Sequence, residues 1–341
     1  MMDDGLVIQF HIHHRRTGVT SCIENILPEL CKYYSVVWHG NNLSTDLPKL
    51  TLVELVKIIK KNNEIRIKII VHVHRNNEMI KALFLKVLGC KFHLVATRHS
   101  STKASWITRL LYGFADSVIS LNKQAANNMS METYIIPHGL DIDSFPLDRH
   151  EPATLGIKSK RLIGVVGRIR ALKGQKDLVD AVLTVLKGNP DWGVVILGQA
   201  KKQDNKYISD IKSTINRENM DDRFYFVGEV PDPKPYYNIF DIVVVASYTE
   251  GSSMVPLEAM ATGSAVIATE NVGTNSLIVE NGRNGYLYTA GNVDQLTEKL
   301  DILLNDDAKL SHFQKSSRKH IEEKWSVVQE VDSLRGVYER S

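Results

Sequence analysis

The sequence predicts an α/β protein made of two Rossmann-like, doubly wound domains facing a cleft. Three observations carry that expectation. Short apolar, β-branched runs alternate with helical patterns along nearly the whole chain, the mark of parallel sheets covered on both faces. A stretch from Pro137 to Gly156, with three prolines and several turn-formers, interrupts the alternation. The length of 341 residues exceeds what one ordinary core spans, and 43% hydrophobic with 24% charged residues suits a globular chain.

Taken in order, Leu6 to Ile12 is a short apolar run, Gly18 opens a helical pattern through Leu30, and Ser35 to Trp38 reads as a strand. Leu52 to Lys60 reads as a helix, Ile67 to Val73 as a β-branched strand, and Glu78 to Leu88 as a helix. The strand Phe92 to Thr97, the helix Ser105 to Phe114 and the strand Ser117 to Leu121 complete the first half. After the proline-rich break, strands fit Arg161 to Val166, Trp192 to Leu197, Phe224 to Val227, Ile242 to Ala246, Ala265 to Thr269 and Gly285 to Tyr288. Helices between and after them fit Gln175 to Leu186, Tyr207 to Ile215, Pro256 to Ala261, Val293 to Leu303 and Asp307 to Lys324. Two such sheets place a ligand at the carboxyl ends of their strands.

A net charge of +3 is too small to argue for nucleic acid, whose binders carry a clustered basic face. Two local clusters, His11 with His13 to Arg16 and Arg66 to Arg75, read either as solvated faces or as a surface for anionic headgroups. Cys22, Cys31 and Cys90 show neither paired nor metal-ligand spacing, which suits a reducing, cytoplasmic setting. The start of the chain lacks the pattern of a signal peptide, and lysine or histidine breaks the most apolar stretches. Membrane contact is therefore expected to be peripheral.

The segment from Ala246 to Thr269 carries the strongest chemistry. A buried strand ends at Ser247, a glycine-containing loop carries Glu250, and a helix opens near Val255 with Pro256 in its first turn. The helix start, reached through Gly251, Ser252, Ser253 and Met254, offers free N–H groups to a phosphate. Glu258 follows Glu250 by eight residues, so both carboxylates can accept hydrogen bonds from the hydroxyls of one ligand. Two unrelated surface glutamates are the bland alternative. In Gly164 to Gly174, a strand ending in glycine is followed by Arg168, Arg170 and Lys173, cations suited to a diphosphate or to a solvated loop. In the first half, Gly18 sits at a strand-to-helix turn where backbone and anion can approach closely.

The Glu250 to Glu258 segment resembles the E-x7-E signature of the family 4 retaining glycosyltransferases, which have the GT-B fold. Ser253 stands where that family usually has Gly or Pro. The resemblance implies that Glu250 contacts the transferred sugar and Glu258 the ribose, and that Arg168 and Lys173 stabilise the departing diphosphate. Val230 and Lys234, in Gly228 to Tyr237, correspond to the loop framing the base, and His99 to a histidine beside the transferred sugar. Gly18 lies in the loop that touches the donor phosphate, with one glycine in place of the commoner pair. Pro137-His138-Gly139-Leu140-Asp141 is similar to the family's hinge, with His138 in place of Asn.

The segments Arg15 to Ser21, Arg75 to Met79 and Gly228 to Tyr237 resemble the lipopolysaccharide core mannosyltransferases. That implies transfer of a hexose, mannose from GDP-mannose, to a lipopolysaccharide core or related glycan at the inner face of the cytoplasmic membrane. No cofactor and no metal are expected. The domains are expected at 1–148 for the acceptor side and 149–320 for the nucleotide sugar, with 321–341 a helix crossing back to the first domain. Alternatives are a UDP-sugar-dependent transferase of polysaccharide or glycolipid synthesis, a sugar-phosphate enzyme of the same architecture, and a non-catalytic nucleotide-sugar-binding protein. An NAD-dependent oxidoreductase is disfavoured, since no Gly-x-Gly-x-x-Gly follows the first strand.

Overall fold

A computed structural model of the chain describes residues 5–340. The chain divides into two compact units, Met1–Asp141 with Ser326–Ser341, and Ile142–Trp325.

In the first unit, Leu6 to Phe10 are all buried, so this strand has no solvent face and belongs inside a sheet. The elements run β1 (Leu6–His11), α1 (Gly18–Leu30), β2 (Ser35–Gly40), α2 (Leu52–Glu64), β3 (Ile69–Val73), α3 (Asn76–Val87), β4 (His93–Arg98), α4 (Trp106–Tyr112), β5 (Ser117–Ser120), α5 (Lys123–Met129) and β6 (Tyr134–Ile135). Among the described residues the sheet is six-stranded and parallel, in the order β2-β1-β3-β4-β5-β6. Leu55 and Ile59 of α2 and Met79, Ala82 and Leu85 of α3 pack into one apolar cluster with β-strand residues such as Ile8 and Val71. Ile23, Ile26 and Leu27 of α1 form the other, joined by Val331 and Leu334 from the far end of the chain.

The second unit repeats the scheme with β7 (Arg161–Val166), α6 (Gln175–Leu186), β8 (Trp192–Leu197), α7 (Asn205–Arg217), β9 (Phe224–Gly228), α8 (Lys234–Tyr237), β10 (Ile242–Val245), α9 (Val255–Ala261), β11 (Ala265–Thr269), α10 (Asn275–Ile278), β12 (Gly285–Tyr288), α11 (Val293–Asn305) and α12 (Asp307–Lys324). Its strands lie in the order β12-β11-β10-β7-β8-β9, again parallel. The last helix, α13 (Val327–Glu339), packs on α1 in the first unit.

The division between units falls at Asp141/Ile142, where the sequence placed it at 148/149. Local pairing explains the position. The Leu140 carbonyl accepts from Val327 N at 2.9 Å and holds the chain up to there on the first unit. Arg149 bonds the Phe240 carbonyl and Asp241 Oδ1 at 3.2 and 2.9 Å, drawing the segment after it onto the second. At the far end, Trp325 donates its indole N–H to His320 at 3.1 Å and stays with the second unit, so the return begins at Ser326 and not at 321.

Each sheet has one place where strand order reverses direction: between β1 and β3 in the first unit, and between β7 and β10 in the second. Loops leaving neighbouring strands there diverge to opposite faces and leave a crevice at the strands' carboxyl ends. Gly18 follows β1, Arg168 and Lys173 follow β7 and Glu250 follows β10, whereas His99 follows β4 and Val230 and Lys234 follow β9.

Candidate active site

In the second unit, the loop after β7 and the loop after β10 meet over their strand ends. Gly174 has φ of +65°, and a β-carbon there would stand 2.1 Å from the Ala246 carbonyl oxygen, so only glycine lets the loops approach this closely. Tyr248 N donates to the Leu172 carbonyl at 3.0 Å and fixes the pair. This apposition delivers the Lys173 ammonium onto the Glu250 carboxylate as an ion pair, both side chains less than one-fifth exposed. The Ser247 hydroxyl donates to Glu250 Oε1 at 2.6 Å, and the Ser247 carbonyl accepts from Thr269 Oγ1 at 2.7 Å. Lys173 and Ser247 thus both hold Glu250 Oε1.

Arg168, on the same loop as Lys173, is exposed, and among the described residues its guanidinium makes no ion pair; its carbonyl accepts from Gln175 Nε2 at 3.0 Å. One anchored cation and one free to move thus flank the same strand end. Gly251 and Ser252 are half-buried, Ser253 is buried, and Ser252 Oγ lies 3.3 Å from Thr274 Oγ1. Ser253 has no left-handed backbone, so a serine is accommodated there without backbone strain. Met254 precedes α9, whose first turn has Val255 and Pro256 and no side-chain cap. At seven residues α9 is short, so its dipole is weaker than that of a long helix and cationic side chains must supply most of the positive charge.

Glu258 is not joined to the Lys173–Glu250 pair. Its Oε2 accepts the Tyr237 hydroxyl proton at 2.6 Å, and burial pushes its pKa up while that bond and nearby Lys234 oppose the shift. Tyr237 is fully buried, and burial together with the Glu258 charge pushes its phenol well above the ordinary range, so it stays a donor. Lys234 stacks its ammonium 5.1 Å from the Phe145 ring, and Val230 is half-buried in the preceding loop. Asp232 Oδ1 accepts from Lys234 N at 3.0 Å, so the Pro-Asp-Pro run both shapes a turn and starts α8. Among the described residues, no group of three or more His, Cys, Asp or Glu side chains is arranged to hold a metal ion.

In the first unit the β1 and β3 loops meet in the same manner. Gly18 begins α1 and is exposed, with no atom within 4 Å of where a β-carbon would stand. The Arg75 guanidinium donates to Thr17 Oγ1 at 2.9 Å, which brings a cation to the residue preceding Gly18. Glu78 is buried and accepts from Ile12 N at 3.1 Å and His74 N at 2.8 Å, tying the ends of β1 and β3 together. Arg75 and Glu78 take these positions from the pairing of β1 with β3, strands that neighbour in the sheet but are not consecutive in the chain.

His99 belongs to a chain of hydrogen bonds inside the first unit. Glu330 Oε1 lies 2.9 Å from His138 Nδ1, His138 Nε2 lies 3.3 Å from His99 Nδ1, His99 Nε2 lies 3.0 Å from His74 Nδ1, and His74 Nε2 lies 3.1 Å from Gln9 Oε1. Burial alone would lower the His138 pKa, but Cys22 and the Glu330 carboxylate raise it well above the ordinary value. Burial, and then the His138 charge, lowers that of His99. A charged His138 donates from both nitrogens, so His99 accepts at Nδ1 and donates at Nε2 to His74, which in turn donates to Gln9. Every link then has one proton, and the direction is fixed. Both nitrogens of His99 are spent in this chain, so its ring has no lone pair for a substrate proton.

The two basic clusters of the sequence are only partly at the surface, with His14, Arg15 and Arg66 exposed. His11, His72 and His74 are buried, Arg16 is paired with Glu24 at 2.6 Å, and Arg75 is turned to Thr17. The three cysteines are free, with Cys22 and Cys90 buried and Cys31 exposed. Among the described residues no helix is long and apolar enough to cross a membrane.

Residues 148–320 match the family described as glycosyl transferases group 1. The lipopolysaccharide core biosynthesis mannosyltransferase LpsB of Rhizobium meliloti (strain 1021) is 29% identical, over 98% of this chain and 97% of its own length. The C-terminal domain of a glycosyl transferase group 1 family protein, LpcC from Francisella tularensis, is 31% identical with a TM-score of 0.53; the match covers 55% of this chain and 99% of that one. HepE from Anabaena, solved in complex with UDP and glucose, superposes with a TM-score of 0.81 at 18% identity, covering 99% of this chain and 100% of its own. It shares the GT-B fold, with two parallel α/β Rossmann-like domains.

Proposed function

The chain belongs to the group 1 glycosyl transferases, and on that premise we propose that it transfers mannose from GDP-mannose, with retention at the anomeric carbon, to a lipopolysaccharide core acceptor. The observation that carries this reading is the Lys173–Glu250 pair at the strand-order reversal of the second unit, with Arg168 exposed beside it. A cation touching a carboxylate suits the junction of a sugar and a diphosphate, where anionic phosphate oxygens and hydroxyl donors lie close together. The resemblance to core mannosyltransferases along nearly the full chain supports the choice of donor and acceptor.

In this mechanism Glu250 accepts hydrogen bonds from hydroxyls of the transferred hexose and Glu258, on α9, from the ribose, while Gly251 to Val255 between them line the donor. The bond between the anomeric carbon and the β-phosphate oxygen breaks through an oxocarbenium-like state. The acceptor oxygen bonds the same face of that carbon, and its proton passes to the departing phosphate oxygen. Lys173 and Arg168 stabilise the charge that grows on the diphosphate, and being positioned beforehand they need little reorganisation. We assign no metal to this step, since two cationic side chains meet the diphosphate. Val230 and Lys234 face the base, and the resemblance assigns Gly18 to the donor phosphate and His99 to the transferred sugar. The enzyme works at the cytoplasmic face of the membrane as a peripheral protein.

The test is a panel of GDP-mannose and UDP- and ADP-linked sugars, scored for slow hydrolysis and for a rise in Tm. A ligand bound by the native state alone raises Tm in proportion to its affinity. GDP-mannose is expected to stabilise and to be hydrolysed; stabilisation by UDP-sugars alone would transfer the reading to a UDP-dependent enzyme.

A further inference from the structure

Resting on the peripheral placement above, we infer that the outer faces of α3 and α4 form the surface by which this protein docks on an anionic lipid bilayer. On α3, Met79, Ala82 and Leu85 are buried against the sheet. At about 100° per residue, Ile80, Phe84 and Val87 form a stripe on the opposite side of the helix. On α4, buried Thr108 and Tyr112 face inward, and Trp106, Ile107 and Leu110 point away from them. These six large apolar side chains are between 49% and 82% exposed.

The two helices pack side by side, joined by a bond of 2.9 Å from Asn76 Nδ2 to Thr108 Oγ1. At roughly 100 Å² each, the six side chains expose about 600 Å², the upper end of what a monomer normally leaves open.

Charge identifies the occupant. Between Arg75 and Asp116 there are seven basic residues, Arg75, Lys81, Lys86, Lys91, Arg98, Lys103 and Arg109, and two acids, Glu78, which is buried, and Asp116, which pairs with Lys86 at 2.9 Å. Lys91 and Lys103 are exposed, and Lys81 and Arg109 half-exposed, and among the described residues none of these four cations is paired with a carboxylate. A second copy of the chain meeting the same face would set these cations against each other. Anionic headgroups neutralise them, and the apolar stripe enters the acyl boundary with an exposed tryptophan at its edge, the usual makeup of an interfacial surface.

The test uses the full chain and vesicles of phosphatidylcholine alone or with one phosphatidylglycerol in four. Among the described residues Trp106 is the exposed one of four tryptophans, Trp38, Trp192 and Trp325 being buried, so a blue shift of emission reports this surface. Expected are sedimentation with the anionic vesicles, a blue shift, and little binding to neutral ones. Phe84→Asp with Val87→Asp is expected to weaken binding at least about tenfold, and Lys103→Glu with Arg109→Glu to remove the preference for phosphatidylglycerol. Both pairs are expected to keep the Tm and the transfer of sugar to a soluble acceptor fragment. Equal binding to both vesicles, unaltered binding by the Asp pair, or a dimer that this pair dissociates would overturn the inference. Vesicle binding without transfer from any nucleotide sugar would instead count against the enzymatic reading and leave the docking surface standing.

Discussion

Glu250 and Glu258 have the same side chain but different surroundings, and different losses follow from removing each. Glu250 is paired with Lys173 and oriented by Ser247, while Glu258 accepts from buried Tyr237. Glu250→Ala is expected to abolish transfer, with kcat lower by at least about a thousandfold. Glu258→Ala is expected mainly to raise the donor KM. Steady-state kinetics distinguish the two, and full activity in the Glu250 variant would discard the site. The roles of these residues were legible in sequence only through resemblance, because Lys173 and Glu250 lie 77 positions apart and no spacing rule connects them. The histidine chain was not legible at all. Gln9, His74, His99, His138 and Glu330 come from separate strands, the hinge and the last helix, and only strand register assembles them.

At the scale of elements, long buried strands and amphipathic helices were read closely: β7, β8, β11, β12, α1, α6 and α12 have the limits expected from pattern. Full burial of β8 and β11 makes each an unbroken apolar run, and β7 is buried through its middle. The helices α8 and α10, four residues each, are too short to show a period, and α5 carries two consecutive asparagines that read as a turn. Two glycines that look alike in sequence also separate here. Gly174→Ala forces a β-carbon against the Ala246 carbonyl in a left-handed backbone, and a loss of roughly 2 kcal/mol together with activity is expected. Gly18→Ala meets open space, so Tm is expected to hold while the donor KM rises. A Gly18 variant with unchanged KM would remove that loop from the donor site.

For the molecule as a whole, the chain's return to its first unit is secured at His138 and Gly139. Glu330 accepts from His138 Nδ1 at 2.9 Å and from Gly139 N at 2.8 Å, with both side chains of the ion pair nearly buried. Because the folded His138 has a raised pKa, its contribution to stability is fully present below the unfolded value of about 6.5 and fades as pH climbs through the folded one. Glu330→Gln leaves a buried imidazole without its counter-charge, so a loss of about 3 kcal/mol below pH 6.5 is expected, shrinking at higher pH. His72, which burial lowers to about 3, and His74 and His99, lowered well below the ordinary value, act in the opposite sense. Their contribution is present above about 6.5 and lost as pH falls. Chemical denaturation between pH 5 and 9, ranges set about the ordinary histidine value, separates the two effects.

The central proposition is that cationic side chains of the second unit hold the diphosphate of the donor. Calorimetric titration of GDP into the wild-type chain and into the Arg168→Ala, Lys173→Ala double variant measures this without chemistry or acceptor. Binding at least about a hundredfold weaker in the variant, with Tm preserved in the absence of ligand, is the expected result. Equal affinity in the two proteins would contradict it.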